Sequence, residues 1–227
     1  MSSSSISKCF PELVNISPLL ASGGQKEVYR AKLNSQQVVL KIIRPSPNAQ
    51  ARTEREIAAV RAVNSDYVAT VYQSGQRLVN GDNRYFIVEQ FIDGTTYREQ
   101  LYREPVQSLA KTMEIGLSLH KAVLDFERAG LVHRDLKPEN IMIDKNNKLW
   151  IIDFGLVRFL NLESLTQTAQ MFGPCTFGYG APEQIRNVKT LINSRADLFS
   201  IGVILYEALR GHNPYVHGAR DALEVLR

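Results

Sequence analysis

The chain contains little cysteine and no long apolar run, and both absences narrow the classes to which it can belong. Cys9 and Cys175 stand far apart among 227 residues, without a CxxC or metal-ligand spacing, so neither a disulfide framework nor a zinc site is indicated. No apolar stretch approaches the roughly 18 residues needed to span a bilayer, and the serine-rich start lacks the features of a signal peptide. We therefore expect a soluble, cytoplasmic protein with no membrane partner.

The remaining composition is that of an ordinary globular protein. Hydrophobic residues make up 44% of the sequence and charged residues 22%, which is enough to build a sizeable core. The net charge is +4 and the pI is near 9.1. The excess of positive charge is spread along the chain, so it argues only weakly for a polyanionic partner. We expect no nucleic-acid partner.

The first part of the chain has the pattern of a small sheet with one main helix. Residues 1–10 are polar and serine-rich, which predicts a flexible N-terminal segment. β-type runs predict strands within 19–43, around 68–72 and around 85–89. Ser46 and Pro47 predict the start of a helix. Glu56 falls on the apolar stripe of that helix, where it either faces inward or lies at the edge of the stripe in solvent.

The rest of the chain reads as mainly helical. A turn-like break at 91–94 could join two lobes, and the helical spacing that follows over 109–124 stops at Gly130. Two short strands flank a predicted turn at 144–147. Ser194 is predicted to cap a last helix, which is apolar nearly all round from 198 to 209 and is therefore expected to lie inside a core.

The most specific signal is the string HRDLKPEN at 133–140, followed by DFG at 153–155. Phosphoryl transfer needs a carboxylate beside the attacking hydroxyl, oxygen ligands for Mg²⁺ and positive charge near the phosphate, and these segments offer all three. A specified eight-residue string arises by chance on the order of once in 10¹⁰ positions. In these segments the chain resembles the protein kinase family.

That resemblance implies a role for each polar residue of the two segments. Asp135 would accept the proton of the substrate hydroxyl, Lys137 would steady the γ-phosphate of ATP, and Asn140 and Asp153 would hold Mg²⁺. Read singly, Asp135 could be a turn carboxylate and Asn140 a helix cap, but five such residues in register make that interpretation implausible. His133 is better interpreted as packing the loop than as a base.

Upstream, the run VVLK at 38–41 resembles the family strand whose lysine grips the α and β phosphates. A lysine in a buried strand is costly without a partner, and Glu56 is the carboxylate that the family would supply. Glu54 is the competing choice, but it lies two residues away and therefore on a different face of the helix.

The loop that covers the phosphates departs from the family pattern. The segment 21–28 keeps only the middle glycine of GxGxxGxV, although backbone N–H groups could still reach phosphate oxygens. Lys26 either adds positive charge there or is a solvated turn lysine. The residues that the resemblance assigns to nucleotide binding are Ala21, Gly23, Gly24, Val28, Lys41, Glu89, Phe91, Asn140 and Asp153.

Downstream, the segment TFGYGAPE at 176–183 resembles the end of the family's activation loop, which shapes the site for the substrate residue. Asp197 matches the aspartate that braces the catalytic loop from beneath. Lys137 together with Thr176 matches the serine/threonine branch better than the tyrosine branch.

Regulation by phosphorylation of the activation loop is an open alternative. In many family members an arginine in the position of Arg134 receives a phosphate from the activation loop. The hydroxyls available here are Ser164, Thr166 and Thr168, of which the two threonines are the favoured candidates. These hydroxyls could equally well only solvate a long loop.

The resemblance implies an α+β, two-lobed protein kinase fold with ATP in the cleft between the lobes. The kinase domain is expected over 11–227, with a small β-rich N-lobe at about 11–90 that holds one main helix, and a mainly helical C-lobe at about 94–227. The sequence stops about one short helix after 211–214, so we expect a C-lobe truncated after its buried central helix. A partner or a missing C-terminal region would then cover that lobe.

The implied activity is ATP- and Mg²⁺-dependent transfer of phosphate to serine or threonine hydroxyls of a protein substrate. The rival hypothesis is a pseudokinase-like module that binds a nucleotide or a partner with little turnover, and the degraded glycine loop motivates it. A small-molecule kinase of related fold is a third possibility, which HRDLKPEN and the 176–183 segment disfavour.

Overall fold

The described part of the chain forms two compact units. The computed structural model describes residues 3–22, 26–44, 49–154, 158–159 and 176–219. Unit 1 comprises Met1–Arg61 and Ala69–Ile92, and unit 2 comprises Ala62–Val68 and Asp93–Arg227. The predicted break at 91–94 lies at the boundary between the units, whereas the limits of the kinase domain stay a prediction.

Unit 1 is built on a six-stranded sheet with the strand order β1-β3-β4-β6-β5, in which β2 also pairs with β3. Its elements are α1 (Ser3–Cys9), β1 (Leu13–Val14), β2 (Ala21–Ser22), β3 (Lys26–Leu33), β4 (Gln36–Ile43), α2 (Ala49–Ala62), β5 (Val71–Val79) and β6 (Asp82–Gln90). Alternate residues Val38, Leu40 and Ile42 of β4 are fully buried, as the two-residue period of a strand requires.

The predicted strand at 68–72 begins later than expected. Strand β5 starts at Val71 in unit 1, while Val68, which belongs to unit 2, forms an isolated parallel bridge with Ile151 of the same unit. The backbone N–H of Ile151 also donates to the carbonyl of Tyr67 at 2.7 Å. No residue type in this apolar run marks where pairing with Ile151 ends and strand β5 begins. The sequence alone therefore places the first residue of the strand poorly.

The N-terminal segment differs from the flexible chain predicted for residues 1–10. Residues Ser3–Cys9 form helix α1, and Ile6 and Phe10 are fully buried in the core of unit 1. The ring of Phe10 lies edge-on to that of Phe86 at 5.1 Å between centroids. Because Ile6 and Phe10 are four residues apart, they lie on the same face, and the serine-rich composition around them hides this pattern.

Unit 2 contains most of the helices. Its elements are β7 (Gly94–Thr96), α3 (Tyr97–Arg103), α4 (Leu109–Arg128), β8 (Leu131–Val132), a 3₁₀ turn (Pro138–Asn140), β9 (Ile141–Asp144), β10 (Leu149–Ile151), β11 (Arg158–Phe159), α5 (Pro182–Ile185), a second 3₁₀ turn (Lys189–Leu191) and α6 (Ser194–Arg210). The strands form a β10-β9-β7 sheet and a β11-β8 pair. Of the helices described in either unit, none has the length and apolar character to cross a bilayer.

The ends of α4 and of the β9–β10 hairpin agree with the predictions. Helix α4 stops at Arg128, and Gly130 follows with φ of +70°, the left-handed conformation that glycine adopts at helix ends. Strands β9 and β10 pair antiparallel, and Asn147 takes a left-handed conformation in the turn between them.

Helix α6 departs from its prediction in two respects. Its cap is Asn193, whose side chain accepts from the N–H of Arg195 at 3.0 Å, whereas Ser194 is the first helical residue. Asparagine and serine are comparable caps, so adjacent candidates cannot be ranked by type. Leu198, Tyr206 and Leu209 are also 38–42% exposed, so the helix is not enclosed on all sides by the described residues.

Candidate active site

The centre of the candidate site is a hydrogen-bonded group around Asp135. The hydroxyl of Thr176 donates to Asp135 Oδ1 at 2.6 Å, and the ammonium of Lys137 lies 2.9 Å from Asp135 Oδ2. Lys137 also donates to the hydroxyl of Thr176 at 2.7 Å. Three residues that the sequence separates by up to 41 positions thus form one cluster, in which a carboxylate lies beside a fixed positive charge.

Asn140 joins this group from the other side of the loop. Its amide nitrogen donates to the backbone carbonyl of Asp135 at 2.8 Å and to the carboxylate at 3.0 Å. Asn140 is only 6% exposed, and this direction of bonding leaves the amide oxygen as the end that can bind a cation.

The β9–β10 hairpin determines how near Asn140 lies to Asp153. Ile141 pairs with Ile151, and the N–H of Ile152 donates to the carbonyl of Asn140 at 2.9 Å. Asn140 therefore precedes the paired strands and Asp153 follows them, at the same end of the hairpin. Both residues that the resemblance assigns to the metal are thereby brought together in unit 2.

The loop that carries Asp135 is held from below by Asp197. This fully buried carboxylate accepts from the backbone N–H groups of His133 and Arg134, both at 2.8 Å. Burial raises the pKa of Asp197 to about 6, although the two backbone hydrogen bonds act in the opposite direction. The predicted bracing role of Asp197 agrees with this geometry.

His133 packs in the core, as the sequence predicted. Its ring is fully buried and lies 4.9 Å from the ring of Phe154 and 6.0 Å from that of Phe126, between centroids. Burial lowers the pKa of His133 to about 4, so the ring is neutral at physiological pH.

Two residues of the site have a left-handed backbone that side chains disfavour. Arg134 has φ of +71° and Asp153 has φ of +66°. Such conformations cost on the order of 1–3 kcal/mol and persist only where the surroundings impose them. At Arg134 the surroundings include Gln184, which is fully buried and donates to the carbonyl of Arg134 at 2.8 Å.

Unit 1, taken by itself, contains a row of predicted nucleotide-binding residues. Ala21 pairs with Val28 across β2 and β3, and Val28 pairs with Lys41 across β3 and β4. The three residues are therefore neighbours along one line across the sheet. Phe91 follows β6, and the guanidinium of Arg30 lies 4.4 Å from the centre of its ring.

Lys41 has a carboxylate neighbour that the sequence assigned to another task. Its ammonium lies 2.6 Å from Glu89 Oε1, and the two side chains are only 8% and 12% exposed. Lys41 pairs with Ile87, and Glu89 lies two residues further along β6, so both side chains are on the same face of the sheet. Glu89 was predicted only to bind nucleotide.

Of the two helical glutamates weighed as partners of Lys41, the structure describes the side chain of only one. Glu54 is exposed and accepts a hydrogen bond from the hydroxyl of Tyr85 at 3.0 Å. Glu56 lies within α2, but its side chain is outside the described residues, so its pairing with Lys41 stays a prediction.

Several other predicted residues also lie outside the described part of the chain. These are Gly23 and Gly24 of the phosphate loop and the hydroxyl residues Ser164, Thr166 and Thr168. The structure therefore leaves the phosphate loop and the regulatory alternative as they stood.

Sequence reasoning missed one group of charged residues near the site. Arg98 of α3 bonds to Glu139, Glu207 and Tyr179, which belong to three other segments. One signal was present, because Glu207 is the one charged residue in the mainly apolar stretch 198–209 of α6. The partner on α3 had no signal, since an arginine on a short polar helix looks like an ordinary surface residue.

Comparison with known proteins identifies the family of this sequence. The sequence matches the protein kinase domain family over residues 15–226. It is 34% identical over 209 residues to the probable serine/threonine-protein kinase SCO3848 of Streptomyces coelicolor, covering 88% of this chain and 30% of that protein. It is 32% identical over 206 residues to the serine/threonine-protein kinase PknB of Mycolicibacterium smegmatis, covering 87% and 32% respectively.

A third relative has a shorter chain. The serine/threonine-protein kinase PknL of Mycobacterium tuberculosis is 35% identical over 204 residues, which is 86% of this chain and 49% of PknL. The chain thus spans about a third to a half of the length of these relatives. With the family match covering nearly the whole sequence, the chain belongs to the serine/threonine protein kinase family and has its two-lobed α+β fold.

Proposed function

We propose that this chain is a catalytic domain that transfers the γ-phosphoryl group of ATP to a serine or threonine hydroxyl of a protein substrate. The observation that carries the proposal is the cluster of Asp135, Lys137, Thr176 and Asn140, in which a carboxylate, a cation and a metal-binding amide are held within hydrogen-bonding distance. This is the constellation that phosphoryl transfer requires.

Asp135 is the residue proposed to act on the substrate hydroxyl. One of its oxygens accepts the proton as the hydroxyl oxygen forms a bond to the γ-phosphorus, and the bond from that phosphorus to the bridging oxygen of ADP breaks. Lys137, 2.9 Å from the carboxylate, supplies positive charge beside the transferring group. Lys41 would bind the α and β phosphates.

The donor set fits Mg²⁺. An amide oxygen from Asn140 and a carboxylate from Asp153 are hard oxygen ligands, and Mg²⁺ typically takes one or two carboxylates together with phosphate oxygens. When bound, the cation neutralises charge on the phosphates. Because the amide nitrogen of Asn140 donates to Asp135, the amide oxygen is the end of that side chain that would be available to the cation.

The proposal is tested by incubating the purified chain with labelled ATP and Mg²⁺, on itself and on generic protein substrates. Asp135→Ala and Lys41→Met should each lower incorporation by a factor of about 10² or more, because the first removes the proposed proton acceptor and the second removes the cation proposed to bind the α and β phosphates of ATP. Lys145→Ala breaks only an exposed ion pair with Asp93 at 3.5 Å and serves as the control. Equal incorporation in all four proteins would instead favour a binding module.

A further inference from the structure

A second charged cluster lies in unit 2, made of Arg98, Glu139, Tyr179 and Glu207, and is called here the Arg98 cluster. All three nitrogens of the Arg98 guanidinium donate hydrogen bonds. Nε donates to Glu139 at 2.7 Å, Nη1 donates to Glu207 at 2.7 Å, and Nη2 donates to the hydroxyl of Tyr179. That hydroxyl in turn donates to the second oxygen of Glu207.

The cluster is largely withdrawn from water. The side chain of Glu207 is 9% exposed and that of Arg98 is 16% exposed, while Glu139 lies at the rim with 46% exposed. Burial alone would lower the pKa of Arg98, but the hydrogen bonds to Glu207 and Glu139 outweigh it and raise the pKa above its usual value. The guanidinium is therefore permanently charged and is the cation that compensates the buried Glu207.

Two partners of Arg98, Glu139 and Tyr179, lie next to different residues of the candidate site. Glu139 directly precedes the proposed metal ligand Asn140, and Tyr179 lies three residues after Thr176, which bonds to Asp135. Tyr179 is fixed at its backbone as well, because its N–H donates to the carbonyl of Thr176 and its own carbonyl accepts from the hydroxyl of Ser200 at 2.8 Å.

We propose that Arg98 is a positioning residue, which holds Tyr179 and thereby keeps the segment 176–183 in the conformation that receives the protein substrate. This inference rests on the proposed function and adds a residue to it. Arginine suits the task because its rigid, planar guanidinium directs donors along several fixed directions, whereas a lysine ammonium is a compact charge on a flexible stem. Arg98 itself touches neither the phosphate nor the reacting hydroxyl.

The first test separates binding of the protein substrate from binding of ATP. In Arg98→Ala the KM for a phosphate-accepting peptide should rise about tenfold, and in Arg98→Lys it should rise less, while the KM for ATP stays within about twofold in both. Tyr179→Phe removes only the hydroxyl and should move the peptide KM in the same direction. Arg128→Ala is the control, because Arg128 is 70% exposed and pairs only with Asp125 of its own helix in the described structure.

The second test measures the segment itself and needs no activity. Amide hydrogen exchange at Tyr179 and Gly180, whose N–H groups both bond to the carbonyl of Thr176, should quicken in Arg98→Ala and Tyr179→Phe. Exchange in the β9–β10 hairpin should stay as in the wild type, and Arg128→Ala should change neither region.

The outcomes are distinguishable from failure of the proposed function. If the wild type transfers no phosphate, the proposed function fails, and exchange alone then decides whether Arg98 holds the segment. Peptide KM values unchanged in Arg98→Lys and Tyr179→Phe, or KM values for peptide and ATP that rise together, would overturn the positioning role. Unchanged exchange at Tyr179 and Gly180 would do so as well, even if Arg98→Ala proved too unstable to study.

Discussion

At the scale of single residues, the site depends on side chains whose charge is set by their surroundings. Asp197 and His133 are both fully buried and touch the same loop, yet burial moves their pKa values in opposite directions, to about 6 and about 4. The reason is that burial disfavours the charged form, which is the deprotonated form of an acid and the protonated form of a base.

These shifts predict opposing effects of pH on stability. Between pH 6.5 and 4 the unfolded chain protonates His133 while the folded chain does not, so this residue lowers stability as the pH falls. Between pH 6 and 3.8 the folded chain binds a proton at Asp197 before the unfolded chain does, so this residue raises stability as the pH falls. When the free energy of unfolding of each protein is compared with its own value at pH 7, His133→Phe should lose less stability on acidification than the wild type.

A variant of Asp197 should change the dependence of stability on pH in the opposite direction. Asp197→Asn should lose more stability than the wild type between pH 6 and 4, because the compensating protonation is gone. Chemical denaturation at several pH values measures both differences. Parallel pH profiles for the wild type and both variants would contradict the assigned shifts.

A second residue-scale prediction concerns Glu89 and Lys41. Glu89→Gln removes the carboxylate 2.6 Å from the ammonium, and we expect the free energy of unfolding to fall by about 1.5–3 kcal/mol, the worth of a hydrogen bond to a charged group. Asp82→Asn is the control on the same strand, since Asp82 is 57% exposed where it pairs with Arg84. Equal losses in urea denaturation would show that Glu89 contributes no more than a surface pair.

At the scale of elements, helices are held by features at their ends and on one face. Helix α1 is anchored by Phe10, whose ring contacts Phe86 and lies 4.8 Å beneath the guanidinium of Arg77. Arg77 also donates to the carbonyl of Cys9 at 2.9 Å, so the end of the helix is tied to the sheet by both apolar and polar contacts.

Phe10→Ala should therefore destabilise the protein by about 3–5 kcal/mol, as expected for a large side chain removed from a well-packed core. Val14→Ala, in the neighbouring strand β1, is the control because Val14 is 53% exposed. A loss below about 1 kcal/mol for Phe10→Ala would indicate that residues 1–10 are loosely attached, as the composition alone suggested.

The start of α6 gives a test with adjacent residues. Asn193→Ala removes the side chain that caps the helix and should cost about 1 kcal/mol, whereas Ser194→Ala removes only an exposed bond to Glu127 at 2.8 Å and should cost less than about 0.5 kcal/mol. Thermal melts compare the two variants. The reverse order would return the cap to Ser194.

At the scale of the whole molecule, sequence reasoning predicted local patterns well and distant partners poorly. The β9–β10 hairpin and the end of α4 at Gly130 were predictable, because strand period, turn residues and helix stop signals are local properties. The contact of Asp197 with the catalytic loop was accessible only through the family resemblance, and the contact of Asp135 with Thr176 was not predicted. The pairings of Lys41 with Glu89 and of Arg98 with Glu207 depend on strand register and helix packing, which no local pattern encodes.

A whole-molecule measurement can separate nucleotide binding from turnover. ATP with Mg²⁺ at 100 times its dissociation constant should stabilise the folded chain by about 2.7 kcal/mol, because only the folded chain binds it. At the same ATP concentration Lys41→Met should show a smaller stabilisation, whereas Asp135→Ala should keep most of it although we expect both variants to transfer little phosphate. Thermal shift assays with and without ATP measure the difference.

The left-handed backbone at Arg134 and Asp153 carries a consequence for engineering. Glycine adopts φ near +70° without steric penalty, so Arg134→Gly would relieve about 1 kcal/mol of local strain, offset in part by the greater freedom of glycine in the unfolded chain. A search for thermostable variants alone would thus tend to select replacements of Arg134 and Asp153, which lie next to the residues proposed to act on the phosphate. Variant libraries of this domain should keep both residues fixed and look for gains in α1 and the sheet instead.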